Sequence, residues 1–87
     1  MRVTLIAPER SLFDGEATSV VAPAFDGMVG VLPGHAPFLT LLGSGTLTVS
    51  EGRGGTTERF TVAGGFLQVV GDIVRVVAEH AAPAPAV

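Results

Sequence analysis

Two histidines, His35 and His80, are the side chains in this sequence best suited to acid–base or metal chemistry. A catalytic base needs a nucleophile and an orienting partner around it. His35 follows a glycine in a turn, and no nucleophile pattern accompanies it. The two histidines stand 45 positions apart, far from the short spacing of metal ligands on one element. With no cysteine in the chain, thiolate chemistry and cysteine zinc sites are excluded. Asp14, Glu16 and Asp26 invite a paired-carboxylate reading. Each lies beside a glycine, where Asp commonly closes turns, and a turn is the reading adopted for Asp14 and Asp26. Glu9-Arg10 reads as an exposed ion pair worth under ~1 kcal/mol. Gly27-x-x-Gly30 and Gly64-Gly65 are not phosphate cradles, since a Walker loop needs Gly-Lys-Ser/Thr and all five basic residues here are arginines. The expectation is no catalytic residue, no cofactor and no metal.

Period-two alternation dominates the elements that would carry these residues. Val3-Thr4-Leu5-Ile6-Ala7 places Val3, Leu5 and Ala7 on one side. Thr18 to Ala22 is a second β-branched run. Thr46 to Ser50 turns Leu47 and Val49 inward, and Glu58 to Val62 does the same with Phe60 and Val62. Phe66 to Val70 and Ile73 to Ala78 complete the set. Gly52-Arg53-Gly54-Gly55 reads as a hairpin loop, and Gly71-Asp72 as a two-residue turn with glycine first. Gly43-Ser44-Gly45 and Gly64-Gly65 are further breaks. This spacing predicts an all-β antiparallel sandwich with Leu5, Val20, Leu47, Val49, Phe60, Val62, Val74 and Val76 in its core. Residues 1–80 form the domain, and the Pro/Ala-rich tail at 81–87 is expected to be frayed or extended, because Pro83 and Pro85 oppose a helix.

Eighty-seven residues suffice for one domain. Hydrophobic residues make up 47% and charged residues 15%, with a net charge of −3, which excludes a disordered tail. The arginines are scattered, and Trp and Tyr are absent. A nucleic-acid interface needs a basic patch and gains from aromatic stacking, so no nucleic-acid partner is expected. Met1-Arg2 leads straight into a strand pattern, so no leader is expected. No apolar run reaches the ~18 residues of a spanning helix, and membrane insertion is not expected either. The absence of cysteine leans toward a cytosolic compartment.

The run Ala24-Phe25-Asp26-Gly27-Met28-Val29-Gly30-Val31-Leu32-Pro33-Gly34-His35-Ala36-Pro37-Phe38-Leu39 carries three glycines and two prolines. No helix survives that punctuation. It reads as a hairpin, a short strand and a corner into another layer. The same run resembles the signature of the epsilon subunit of F-type ATP synthases, called delta in mitochondria. Pro8 to Glu16 resembles that family's first loop, and Ala63-Gly64-Gly65-Phe66-Leu67-Gln68-Val69 its late glycine-pair strand. The resemblance spans Val3 to Glu79.

That resemblance implies a sandwich of about ten short strands that performs no chemistry. It implies a central-stalk role, clamping the foot of the gamma subunit, resting on the c-subunit ring, and coupling proton flow through ring rotation to ATP synthesis. By this resemblance the tip Phe25, Asp26, Gly27 and Met28 meets the ring, while Ala7, His35 and Thr40 face gamma. Many relatives carry an acidic residue where Met28 stands. Longer relatives continue into a two-helix C-terminal hairpin that in some inhibits hydrolysis or binds ATP; no such hairpin is expected here, nor strong restraint of hydrolysis. The implied location is the cytoplasmic face of the bacterial inner membrane, held peripherally through the complex. A free-standing β-sandwich ligand-binding module is the alternative, and it would usually present aromatic platforms where this chain has only phenylalanines.

Overall fold

Alternating apolar residues do form the strands. The computed structural model describes residues 1–52 and 55–84. It has eight strands: β1 (Arg2–Ala7), β2 (Arg10–Glu16), β3 (Ser19–Ala24), β4 (Gly27–Val31), β5 (Phe38–Leu41), β6 (Ser44–Ser50), β7 (Thr57–Val70) and β8 (Ile73–Pro83). No helix occurs among the described residues. One hydrogen-bonded sheet runs in the order β2-β1-β8-β7-β6-β3-β4, and β5 also pairs with β7. Every pairing is antiparallel except β1 with β8, which is parallel.

The sheet becomes a sandwich because β7 changes partner halfway. One edge of β7 is held by β8 from Phe60↔Pro83 to Val70↔Ile73. On the other edge, Thr57 to Ala63 pairs with β6 and Phe66 to Val69 pairs with β5. The change falls at Gly64 and Gly65, whose φ angles are +70° and +110°. A Cβ on Gly65 would stand 2.9 Å from Ala78 Cα, so glycine permits both the bend and the close approach. The two halves then face each other. One layer holds β5, the second half of β7, the first half of β8, β1 and β2. The other holds β4, β3, β6, the first half of β7 and the end of β8. Phe13 of β2 meets Phe60 of β7 across this fold, with ring centroids 6.4 Å apart and planes at 71°. Two strands separate β2 from β7 in the sheet order, so the rings touch only because the sheet has folded over.

All eight core residues expected from the sequence are buried. Val3, Ala22, Val31, Leu67, Val69 and Ala78 join them in one apolar cluster. Replacing Phe13 with Leu keeps most of the buried area and removes the edge-to-face ring contact, so a loss of about 1 kcal/mol is expected in urea unfolding.

Several expectations are corrected. The structure has eight strands rather than about ten, because β7 runs through Gly64-Gly65 and both β7 and β8 serve the two layers. Pro8 to Glu16 is not all loop: the turn is confined to Pro8 and Glu9, and Arg10–Glu16 is an edge strand. Asp14 is therefore in a strand and not a turn. Its carboxylate accepts two hydrogen bonds from Arg2, from Nε at 2.9 Å and Nη2 at 2.6 Å. The side-chain ion pair among the described residues is this one, not Glu9–Arg10.

Gly71-Asp72 forms the expected turn. Gly71 has φ +58° and Asp72 is not among the described residues with positive φ, the type II′ pattern. Of the 52–55 loop, Gly55 N–H donates to Gly52 O at 3.0 Å, while Arg53 and Gly54 lie outside the described residues. Beyond the expected boundary at 80, Ala81 and Ala82 continue β8 and pair with Val62 and Thr61. Residues 85–87 lie outside the described residues.

Candidate functional site

The 25–28 tip is built by a tight reversal. Ala24 pairs with Gly27 across the β3–β4 hairpin, leaving Phe25 and Asp26 in the turn. Gly27 has φ +134°, open to glycine and strained for other residues. Phe25 is 69% and Met28 63% exposed. Met28 therefore projects into solvent, and Asp26 is the tip's only charge. A turn follows β4, closed by His35 N–H donating to Leu32 O at 3.1 Å. Pro33 followed by Gly34 at φ +84° is the type II arrangement. This turn carries the chain from one layer to the other, as the glycine and proline spacing predicts.

Ala7, His35 and Thr40 occupy three different places. Ala7 ends β1 and borders a shallow groove with Pro8, Glu9, Glu79 and His80. His35 is half-buried before β5. Its Nδ1 lies 2.6 Å from Ala36 O, and its ring stacks at a tilt on Phe38 with centroids 5.0 Å apart. Thr40 lies in β5 opposite the buried Leu67, so it points toward the inner face. His35 and Thr40 share the β5 segment, whereas Ala7 is separated from it by β8 and β7.

The outward face of β5 carries what the sequence reading missed. Cross-strand register aligns Leu41, Phe66, Val77 and Ile6 in one row, and Leu39, Gln68, Arg75 and Thr4 in the next. Val70 and Ile73 follow. Leu39 is 66% and Leu41 62% exposed, and Phe66, Val70 and Ile73 are also exposed. This outward face is apolar at Leu39, Leu41 and Phe66 and again at Val70 and Ile73, with Gln68 and Arg75 between them, and exposed apolar side chains grouped in this way on a small domain mark an interaction surface. Toward β2 the same face becomes polar, ending in the Arg2–Asp14 pair. The signal in the sequence was weak: in Phe66-Leu67-Gln68-Val69-Val70 four of the five residues are apolar and Gln68 alone marks the outward phase, so the pairing is what shows Phe66 and Val70 pointing out.

No three His, Asp or Glu side chains converge to hold a metal among the described residues. Nor is any described helix long and apolar enough to cross a membrane.

Residues 1–84 match the family described as "ATP synthase, Delta/Epsilon chain, beta-sandwich domain". The ATP synthase epsilon chain of Caulobacter vibrioides is 45% identical over 84 residues, 97% of this chain and 95% of that one. That of Solibacter usitatus is 48% identical over 81 residues, 93% of this chain but 59% of its own length. The chain thus spans about three fifths of the Solibacter protein and nearly all of the Caulobacter one. Among solved structures, a chain of the Euglena gracilis mitochondrial ATP synthase superposes with a TM-score of 0.84 at 26% identity, covering 93% of this chain and 51% of that one. A chain of the Tetrahymena thermophila mitochondrial ATP synthase central stalk and c-ring structure gives 0.79 at 15% identity, covering 94% and 65%; that likeness is one of fold.

Proposed function

The chain belongs to the ATP synthase delta/epsilon chain β-sandwich family, and on that premise we propose that it is a non-catalytic central-stalk subunit joining a c-subunit ring to a gamma subunit. Through that joint it would couple proton-driven ring rotation to ATP synthesis. The observation that carries this reading is the exposed apolar side chains of Leu39, Leu41, Phe66, Val70 and Ile73 on one face of the sheet. Burying such a face against a partner gains about 25 cal/mol per Å².

Gamma is assigned to the β5 side, with His35 and Thr40 at its edge, the outward leucines beside them, and Ala7 at the far end of β1. The ring is assigned to Phe25, Asp26, Gly27 and Met28. Two partners on separate surfaces suit a joint, and neither assignment asks any side chain to do chemistry. The chain would then sit at the membrane through the complex, on the cytoplasmic side in a bacterium, with no segment of its own in the bilayer.

The test is replacement in a bacterial ATP synthase depleted of its own epsilon subunit. This chain is expected to co-purify with gamma and the c-ring and to restore proton-driven ATP synthesis. Failure to join the complex, with the fold intact, would overturn the proposal and favour a free-standing ligand-binding module.

A further inference from the structure

The tip and β5 are far apart in sequence but are tied together by backbone alone. β3 pairs with β6 only through Ser19, Val20 and Val21. Its last residues instead turn to the segment linking β5 and β6. Ala24 bridges Leu42. Phe25 N–H donates to Leu41 O at 3.1 Å, and Gly43 N–H donates to Pro23 O at 2.8 Å. Leu42 N–H continues the chain of bonds to Gly65 O at 3.0 Å, at the bend where β7 passes between layers. Pro23 and Leu42 are both buried, so the bonds that Gly43 makes to Pro23 and Leu42 makes to Gly65 are shielded from competing water. An ideal Cβ on Gly43 would stand 2.8 Å from Ala24 O, and the neighbour there is backbone, which yields only by moving the hairpin.

We propose that this backbone clamp, centred on Gly43, locks the 25–28 tip to β5 and β7 so that load applied at the tip passes into the gamma-facing side without flexing the β3–β4 hairpin. The inference rests on the functional reading above. A two-stranded hairpin by itself is marginally stable and compliant. β4 is an edge strand bonded only to β3, and without the clamp the tip would bend about that edge. With it, the tip is held by hydrogen bonds to both layers. The exposed side chains of the two partner surfaces take no part in the clamp, so binding and stiffness are separable properties.

The experiment compares Gly43→Pro, Gly43→Ala and Gly30→Ala in the full chain and in the reconstituted ATP synthase. Proline removes the Gly43 donor and sets its ring against Pro23 O. Alanine keeps the donor and adds the crowded Cβ. Gly30 is the control: a Cβ there meets nothing within 4 Å and its φ is not positive. Hydrogen exchange at Phe25 and Leu42 is expected to quicken at least about tenfold in both Gly43 variants, with core amides such as Leu5 and Val49 unchanged. Both variants should still join the complex, while proton-driven ATP synthesis falls several-fold and ATP hydrolysis holds. Gly30→Ala should match the parent in every readout. Unchanged exchange at Phe25 and Leu42, or loosened amides with full synthesis, would overturn the proposal. If the parent chain itself does not join the complex, the functional reading fails and this inference falls with it. Loss of core protection in both variants would contradict the separation of clamp and core.

Discussion

Replacing Gly65 with Ala is expected to lower the melting temperature of the free chain by roughly 12–40 °C, the shift that about 3–5 kcal/mol produces in a domain of this size. Two costs add. Gly65 sits at φ +110°, a region where a residue with a Cβ is strained by about 1–3 kcal/mol. The added Cβ would also press on Val77 O and Ala78 Cα of β8. That neighbour is the backbone of the longest pairing in the sheet, so relief means breaking β7–β8 hydrogen bonds. Small domains hold only about 5–10 kcal/mol in all, and much of the population would unfold on mild heating. Gly30→Ala, with open space around its Cβ, is expected to stay within about 0.5 kcal/mol of the parent. A Gly65→Ala chain that melts within a few degrees of the parent would show that β7 does not need its bend there.

The second large effect concerns binding. Leu41→Asp is expected to weaken association with gamma by at least about 30-fold, roughly 2 kcal/mol, with little change in stability. Leu41 is exposed and its side chain is already in water, so the charge costs nothing in the free chain beyond modest strand preference. In a complex it would be buried against an apolar partner and left without a counter-charge. Thr40 is a poorer probe of the same edge. It points inward opposite Leu67, so Thr40→Glu disturbs the core and the interface together. Titrating gamma with Leu41→Asp, alongside a thermal melt, separates the two. Unchanged affinity would move the gamma contact off the β5 face.

The parts of the fold that one apolar phase specifies were readable from the residues. Leu47 and Val49, or Phe60 and Val62, alternate with polar neighbours, and only one face can be buried. β2 was harder, because Leu12 and Phe13 are adjacent and the strand sits at an edge with a bulge opposite Leu5/Ile6. β5 is four residues long and follows a proline, too short for a period to register. Gly64-Gly65 read as a break because glycine pairs usually end strands; here they bend a strand that continues, held by β8 along its other edge. The tip was legible for the opposite reason, since Asp26-Gly27 and Pro33-Gly34 each demand a particular turn. The Leu39–Leu41–Phe66 face depends on which residues lie opposite each other across strands distant in sequence, and no local pattern contains that. Met28 is a similar case: its exposure follows from the hairpin's register, which sets Val29 opposite the buried Ala22 and so leaves Met28 on the other face.

The central claim is that this domain is a two-sided joint of an ATP synthase stalk, and its first requirement is recognition of gamma. Calorimetric titration of the full chain into purified gamma subunit tests it most directly. The account predicts one-to-one binding with a Kd of about 1 µM or tighter, near −8 kcal/mol, and a negative heat-capacity change from the buried apolar face. A folded chain that gives no binding heat at any temperature, and that gamma does not retain on a column, would contradict it.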